Sequence, residues 1–161
     1  MSRLRQLTRS LGHRRWFARA GRFLVPADRL VGRLTRGRVV ALGLMPSLIL
    51  TTTGRRSGQP RSNPVLYVRD GDAFVVTGSN WGRPQPPAWA LNLLADPAAT
   101  ALVRGRSIAV RATAVTGAER DRLWELLVAE WPAYLTYQRR AAGREIPVFR
   151  LTPAADPTAA G

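Results

Sequence analysis

Apolar positions change their spacing along the chain, from a helical spacing in the N-terminal part to a strand-like spacing in the body. Leu4, Leu7 and Leu11 recur at intervals of three and four among arginines. Such spacing predicts a helix with an apolar stripe and a basic face. We therefore expect residues 1–25 to form a basic amphipathic arm, which ends at Pro26 because proline interrupts a helix.

The body of the chain has the pattern of short strands separated by turns. β-Branched and aromatic residues dominate short runs that end at glycine, proline, asparagine or aspartate. Strands are predicted over residues 48–53, 64–69, 74–77, 100–103, 107–116 and 146–153. The second and third form a hairpin, because Asp70-Gly71 between them favours the positive φ angles of a tight turn.

Three helical stretches interrupt these strands. The segment PPAWALNLLADP, residues 86–97, begins with prolines that suit a first helical turn. Thr116 and Glu119 have the spacing of a capping box and open a helix over residues 117–131, and a further helix follows Pro132. Hairpins with inserted helices, rather than a βαβ alternation, predict a small antiparallel barrel, an α+β fold that is mainly β.

Composition excludes several kinds of chemistry. The 161 residues suit one domain, and they include no cysteine, which excludes disulfides, thiolate metal sites and cysteine nucleophiles. All 25 basic residues are arginine, so a lysine Schiff base and a phosphate-loop lysine are excluded too. The only histidine, His13, lies in the arm, so neither a histidine triad nor a zinc site is expected. If the domain is an enzyme, a bound cofactor must supply the difficult step.

The segment LTTTGRRSGQPRSNPVLYV, residues 50–68, carries the strongest chemical signal. Its run GRRSG, residues 54–58, directly follows a predicted strand, and Arg61 comes shortly after. Arginine makes bidentate contacts with phosphate and carboxylate groups, and glycine lets backbone N–H groups turn toward an anion. The segment therefore predicts an anion cradle, although a solvated basic turn explains the same charge run equally well.

Aromatic and hydroxyl side chains elsewhere give weaker signals. Core packing is sufficient to explain Trp89 and Leu93, which share a predicted helix face, and also Tyr134 and Tyr137, which lie one turn apart. Ser79 has the position of an ordinary turn residue at a strand end. Spacing alone assigns none of these residues to a ligand.

Four segments of the chain, taken in order, resemble the deazaflavin-dependent nitroreductase family, the actinobacterial split β-barrel reductases that use coenzyme F420. These segments are LILTTTGRRSGQPRSNPVLYV, VVTGSNWGRPQPPAWALNLLADP, WPAYLTYQ and IPVFRLTP, and the resemblance spans residues 23–153. It implies a split β-barrel of the FMN-binding type over residues 26–153, which the arm precedes. The Ala/Pro-rich composition of residues 154–161 predicts a disordered tail.

Coenzyme F420 carries a phosphodiester and a chain of glutamates, so the resemblance implies a purpose for the anion cradle. Arg55, Arg56 and Arg61 would hold phosphate and carboxylate groups, together with Ser57 and the backbone of Gly54. The other implied cofactor contacts are Asn63, Pro64, Val65, Gly78, Ser79, Asn80, Ala88, Trp89 and Asn92.

The resemblance also implies an acceptor side. Tyr134 and Tyr137 would face the substrate, and Ser79, a tyrosine hydroxyl or water would supply the proton. Trp131 and Leu66 stand where a nitroimidazole-activating member of the family has tyrosines, which implies a different substrate preference.

Together these features predict an F420-dependent oxidoreductase, in which a hydride passes from the reduced deazaflavin to a quinone or another activated acceptor such as a nitroaromatic compound. Hydride transfer needs positioning more than protein nucleophiles, which agrees with the absence of cysteine. One alternative is the same barrel with FMN or haem. Another is a non-enzymatic module that binds nucleic acid or anionic lipid through the arm. No base-stacking aromatic series stands out in the body, so no specific nucleic-acid partner is expected, nor is a metal.

The net charge of +15 is concentrated in the N-terminal part. Residues 1–38 hold eleven arginines and one acid, whereas the rest of the chain holds fourteen arginines and nine acids. The longest apolar run is too short to span a bilayer, and we expect a cytoplasmic protein. Long-chain quinones reside in membranes, so residues 1–24 are expected to contact the inner face of the cell membrane. An arm that packs on the barrel or stays disordered fits its composition equally well.

Overall fold

A seven-stranded antiparallel sheet forms the centre of the computed structural model, which describes residues 46–154. Its strands are β1 (Ser47–Thr53), β2 (Pro60–Leu66), β3 (Val68–Asp70), β4 (Ala73–Thr77), β5 (Ala98–Val103), β6 (Arg106–Ala114) and β7 (Val148–Pro153). The helices are α1 (Ala88–Ala95), α2 (Gly117–Glu130) and α3 (Ala133–Arg140), and a 3₁₀ turn covers Asn80–Gly82. No helix within residues 46–154 is both long and apolar enough to cross a membrane.

The strands follow the order β2-β1-β5-β6-β7-β4-β3, with β2 and β3 at the two edges. β2 also approaches β4, so the sheet curls toward a barrel rather than lying open. Its edge position allows β2 to contain Pro60 and Pro64, because a proline inside a sheet would leave a neighbouring strand without a hydrogen-bond donor. The arrangement is the mainly β, α+β architecture that the strand and turn pattern predicts.

Two hydrophobic clusters share the sheet. The first core joins several strands to α1, through Leu48, Leu50, Phe74, Val76, Phe149, Leu151, Trp89 and Leu93. The second core joins the sheet to α2 and α3, through Val75, Val148, Leu123, Leu127, Trp131, Tyr134 and Tyr137. Since successive side chains of a strand point to opposite faces, β4 contributes to both cores and all five of its residues are buried.

The predicted strand over residues 64–69 differs from the structure at both ends. β2 begins four residues earlier, at Pro60, and the chain leaves β2 before Tyr67 to form β3 as a separate strand. Tyr67 causes the break, because its backbone N–H donates to the carbonyl of Pro46 (3.1 Å) and its buried ring packs edge-on against Phe74. The hairpin predicted at Asp70-Gly71 is confirmed, with a φ of +59° at Gly71.

The predicted capping box at α2 is wrong. Thr116 is the N-cap residue, but its side chain makes no capping hydrogen bond. The carboxylate of Glu119 instead accepts hydrogen bonds from Arg122 (3.0 Å) and Arg150 (3.2 Å). Charge pairing with two arginines therefore replaces the reciprocal backbone contact that the spacing suggests.

Asp70, at the β3–β4 turn, belongs to the same charged group. Arg122 of α2 donates to both of its carboxylate oxygens, at 2.9 and 3.0 Å, and Arg150 of β7 lies 3.1 Å away. The hydrogen bonds from Arg122 lower the pKa of the Asp70 carboxyl, and they lower the pKa of Glu119 as well. These four side chains tie the N-terminal half of α2 to the hairpin and to β7.

Part of the predicted domain division lies outside the described residues. The arm over residues 1–25, with His13, precedes residue 46, and the predicted tail extends beyond residue 154. These divisions stay predictions.

Candidate functional site

A tight loop between β1 and β2, residues 54–59, carries the arginines of the predicted anion cradle; we call it the arginine loop. The N–H of Gly54 donates to the carbonyl of Gln59 (2.8 Å), and the N–H of Gly58 donates to the carbonyl of Gly54 (2.7 Å). Gly58 has a φ of +65°, a conformation that favours glycine. Gly54 is required for a different reason, since a Cβ there would lie 2.7 Å from Ser57 Oγ.

The side chains of the arginine loop divide into two kinds. Ser57 Oγ accepts hydrogen bonds from the N–H of Gln59 (3.3 Å) and from Nη2 of Arg61 (3.4 Å), so it orders the loop itself. Arg55 and Arg56 are exposed, and no carboxylate or carbonyl within residues 46–154 pairs with their guanidinium groups. Two cations held on an ordered loop without a protein partner are available to an anion.

Asn92 connects the arginine loop to α1. Its Oδ1 accepts a hydrogen bond from the N–H of Arg55 (3.1 Å), and its Nδ2 donates to Thr52 Oγ1 (3.0 Å) at the end of β1. Asn92 is 5% exposed, and its buried bond to Thr52 and partly buried bond to Arg55 hold the loop against the helix. The resemblance implied a cofactor contact at Asn92, and the geometry gives this side chain a bracing role within the protein.

The arginine loop, β2 and the start of α1 enclose a cavity of about 450 Å³, within the range of about 300–1,000 Å³ that is typical of ligand pockets. We call it the groove. Its wall contains most of the implied cofactor contacts and adds Pro60 and Ser62, which the sequence did not single out. The implied contacts that line the groove are Gly54, Arg55, Arg56, Ser57, Arg61, Asn63, Ala88, Trp89 and Asn92.

The remaining implied contacts on β2 lie next to the groove but do not line it. Arg61, Asn63 and Val65 occupy alternate positions and therefore share one face of the strand. Val65 is buried in the first core, and Pro64 lies on the opposite face, paired with Ile49. On β2 the groove is lined by Pro60, Arg61, Ser62 and Asn63, whereas Pro64 and Val65 lie beyond its wall.

Gly78, Ser79 and Asn80 form the start of the connection from β4 to α1. The N–H of Gly78 donates to the carbonyl of Pro147 (3.0 Å), and Asn80 Nδ2 donates to the carbonyl of Gln85 (2.8 Å). The Ser79 hydroxyl makes no hydrogen bond to another residue of the range 46–154. None of the three lines the groove. The Ser79 hydroxyl, which has no partner in the described range, is available to a ligand.

The implied acceptor-side tyrosines lie in the second core. Tyr134 is 5% exposed and Tyr137 is 2% exposed, with ring centroids 6.0 Å apart in an edge-on contact. Burial raises the pKa of both phenols, so both hydroxyls keep their protons at neutral pH. The structure therefore places these side chains away from the groove wall, and their contact with an acceptor stays a prediction.

The described residues offer an anion site and little acid–base chemistry. Within residues 46–154 no three His, Cys, Asp or Glu side chains cluster as a metal site would require. The groove wall contains arginine, asparagine and serine side chains beside Trp89, whose ring packs against Phe149 at 6.0 Å. Such a surface can bind and orient a large anion with a flat ring system. The bound molecule would then have to supply the reactive group.

Comparisons with known proteins identify relatives of this chain. The family model described as F420H(2)-dependent quinone reductase matches residues 28–153. An F420H(2)-dependent quinone reductase of Mycobacterium tuberculosis is 39% identical over 145 residues, covering 86% of this chain and 96% of the relative. The resemblance to F420-using reductases is thereby confirmed, and a quinone rather than a nitro compound is the acceptor in these descriptions.

Solved structures confirm the split-barrel fold. An F420-H2 dependent reductase has a TM-score of 0.61 and 32% sequence identity, and the match covers 66% of this chain and 93% of that one. A haem-binding protein from Mycobacterium smegmatis has a TM-score of 0.53 at 20% identity, covering 66% of this chain and 46% of that one. The second likeness is one of fold alone.

Proposed function

The chain belongs to the F420H(2)-dependent quinone reductase family, and from that premise we propose that it transfers a hydride from reduced F420 to a quinone, with the anionic part of F420 held in the groove. Coenzyme F420 is the cofactor of this family, so the FMN, haem and non-enzymatic alternatives are not retained. When bound, the reduced deazaflavin supplies the hydride.

The availability of Arg55 and Arg56 is the observation that carries this proposal. Both guanidinium groups extend from a loop whose backbone is fixed by its own hydrogen bonds and by Asn92. A phosphodiester and a glutamate chain would give these cations the bidentate oxygen partners that the described part of the protein does not provide. Arg61, which also lines the groove, adds a third positive charge.

The remaining implied contacts have two proposed roles, to orient the cofactor ring and to supply the proton. Asn63 and Trp89 line the groove and would orient the ring, while Val65 and Pro64 support the strand beneath it. The free Ser79 hydroxyl would hold or donate a proton at its Oγ, and water is the other source. Tyr134 and Tyr137 could act only as protonated hydroxyls, because burial raises their pKa.

Acceptors other than quinones belong to the same proposal. Reduction of an activated nitroaromatic compound would use the same hydride and the same groove. Trp131, buried in the second core, and Leu66, packed against it, replace tyrosines of the nitroimidazole-activating member, so we expect weak activity on bicyclic nitroimidazoles compared with quinones.

Titration with F420 tests the arginine loop directly. Replacing Arg55 or Arg56 with alanine should weaken F420 binding by roughly 1.5–3 kcal/mol, the range for a hydrogen bond to a charged group. Binding should also become less sensitive to salt, since fewer charges are paired. Arg106→Ala, at an exposed arginine outside the groove wall, is the matched control and should bind F420 as the wild type does.

Tryptophan fluorescence can follow these titrations because Trp89 is part of the groove wall. Wild-type affinity in the Arg55→Ala, Arg56→Ala double variant would refute the assignment of the arginine loop. Preference for FMN over F420 in the wild type would refute the cofactor.

A peripheral membrane contact through residues 1–24 is the finer part of the proposal. Each arginine near an anionic surface contributes about 1 kcal/mol, so several of them could hold the protein reversibly at a membrane that contains its quinone. In a flotation assay with anionic liposomes, the full chain should therefore float with the liposomes. A chain that begins at Phe23 should stay in the bottom fraction. Equal flotation of the two would remove the membrane contact and leave the reductase unaffected.

A further inference from the structure

The connection from β4 to α1 has an uncommon backbone conformation. Asn80, Trp81 and Gly82 have φ angles of +46°, +54° and +78°, three consecutive residues in the left-handed region. Asparagine and glycine tolerate this region, whereas a tryptophan adopts it only where its surroundings impose it. The rest of the fold must therefore hold this segment in place.

Helix α3 forms one side of that support. A Cβ on Gly82 would lie 2.6 Å from the carbonyl oxygen of Tyr137 and 2.7 Å from Cβ of Arg140. The segment therefore rests directly on the helix, and the absence of a side chain at Gly82 permits the contact. Trp81 packs against the second core, which includes residues of the same helix.

Arg144 forms the other side. Its guanidinium donates to the carbonyl oxygens of Gly78 (3.4 Å), Ser79 (3.3 Å) and Arg83 (2.9 Å), three acceptors that lie before and after the left-handed residues. No carboxylate within residues 46–154 pairs with this cation. Arg144 thus reaches three carbonyls with two nitrogens of one planar group, whereas a lysine would have a single ammonium nitrogen for all three.

The position of Arg144 is itself fixed by α3. Nε2 of Gln138 donates to the carbonyl of Arg144 (2.7 Å), and Oε1 of Gln138 accepts from the N–H of Ile146 (3.1 Å). The N–H of Arg144 also donates to the carbonyl of Ala141 (3.1 Å). A continuous series of hydrogen bonds therefore runs from the helix through Arg144 to the backbone of Ser79.

We infer that Arg144 is a positioning residue of the reductase site, whose guanidinium binds the carbonyl oxygens of Gly78, Ser79 and Arg83 and so holds Ser79 in the conformation that turnover requires. The inference rests on the proposed function, in which the Ser79 hydroxyl holds or donates the proton. The arginine loop is braced separately, by Asn92, so Arg144 should govern turnover and leave the affinity for F420 unchanged.

Arg144→Lys tests this inference, because it keeps the charge but replaces the planar fork with a single ammonium group. We expect kcat for quinone reduction to fall by about 10-fold to 100-fold, the scale of a catalytic group displaced by a fraction of an ångström to 1 Å. The dissociation constant for F420 should not change. Millimolar guanidinium should partly restore kcat in Arg144→Ala, a response that a purely structural role would not produce.

Hydrogen exchange of the protein without cofactor gives a readout that does not depend on activity. The amides of Gly82 and Arg83 donate to the carbonyls of Ser79 (2.9 Å) and Asn80 (3.1 Å), and their exchange should accelerate in Arg144→Lys. Arg139→Lys is the matched control, because Arg139 lies on α3, is exposed and donates only to Thr136 (3.2 Å) among the described residues. It should change neither kcat nor exchange.

The outcomes separate the inference from the proposed function. A wild-type protein that does not oxidise reduced F420 with any quinone refutes the proposed function. An active wild type with unchanged kcat and unchanged exchange in Arg144→Lys refutes the inference. If Arg144→Lys does not fold, Gln138→Met, which removes both contacts of Gln138 to the 144–146 segment, must show reduced kcat with unchanged F420 affinity. Full kcat in Gln138→Met then refutes the inference.

Discussion

Asn92→Ala should both destabilise the protein and weaken F420 binding, because Asn92 joins α1 to the arginine loop. The change removes a partly buried hydrogen bond to the N–H of Arg55 and a buried one to Thr52 Oγ1. At about 1 kcal/mol each, they account for about 2 kcal/mol of the free energy of unfolding. Alanine recovers about 0.6 kcal/mol through its higher helix propensity. The Arg55 N–H left without its partner costs about 1 kcal/mol more. We therefore expect a net loss of about 1.5–2.5 kcal/mol.

The effect on binding follows from the same contacts. Without Asn92 the arginine loop has to be ordered by the ligand, and each side chain immobilised on binding costs about 0.5–1.5 kcal/mol. With Arg55 and Arg56 both affected, F420 affinity should fall by about 1–3 kcal/mol, that is, by roughly 5-fold to 150-fold. Urea unfolding followed by circular dichroism measures the first quantity, and fluorescence titration with F420 measures the second.

Leu94→Ala is the matched control for this prediction. Leu94 lies on the same helix, is 59% exposed, and has no part in the groove wall. Its removal should change neither stability nor affinity appreciably. Unchanged stability in Asn92→Ala would show that the two hydrogen bonds do not contribute as reasoned. Reduced stability with wild-type affinity would show that the arginine loop does not hold the cofactor.

Two further predictions concern ionisable groups. Arg122 lowers the pKa of Asp70 below its ordinary 3.8, so the ion pair stabilises the protein at neutral pH and is lost as the pH falls through the lowered value. The melting temperature of Asp70→Asn should therefore fall less than that of the wild type as the pH is lowered. The control Asp72→Asn, at an exposed position, should behave like the wild type. The same fall of melting temperature with pH in all three proteins would contradict this prediction. Tyr134→Phe and Tyr137→Phe should leave F420 affinity unchanged, and because burial raises both pKa values above the usual 10.0, neither phenol should produce a loss of rate below that pH. An alkaline loss of rate that disappears in either variant would contradict the second prediction.

Much of the fold could be predicted because its signals are local. The hairpin at Asp70-Gly71 and the proline-initiated α1 depend on residues that are neighbours in sequence. The first half of β2 could not be predicted in this way, since Arg61, Ser62 and Asn63 have no apolar alternation. They extend because β2 is an edge strand paired with β1, a condition set by the whole sheet.

The candidate site shows the same division between local and distant causes. The glycines and arginines of residues 54–58 predict an anion loop, and the structure places Gly54, Arg55 and Arg56 on the groove wall. The support of the site was missed, because Asn92 and Arg144 act on backbone groups far away in sequence. A buried asparagine and an arginine near a helix end carry no local signal for such contacts.

The two faces of β4 have a consequence for how the protein unfolds. Phe74 and Val76 belong to the first core and Val75 to the second, so neither cluster can lose its packing without disturbing the strand that the other requires. A protein with two hydrophobic clusters could melt in two steps, but a strand shared by both clusters favours a single cooperative transition. The groove side and the helical side of the sheet should therefore unfold together, in one transition.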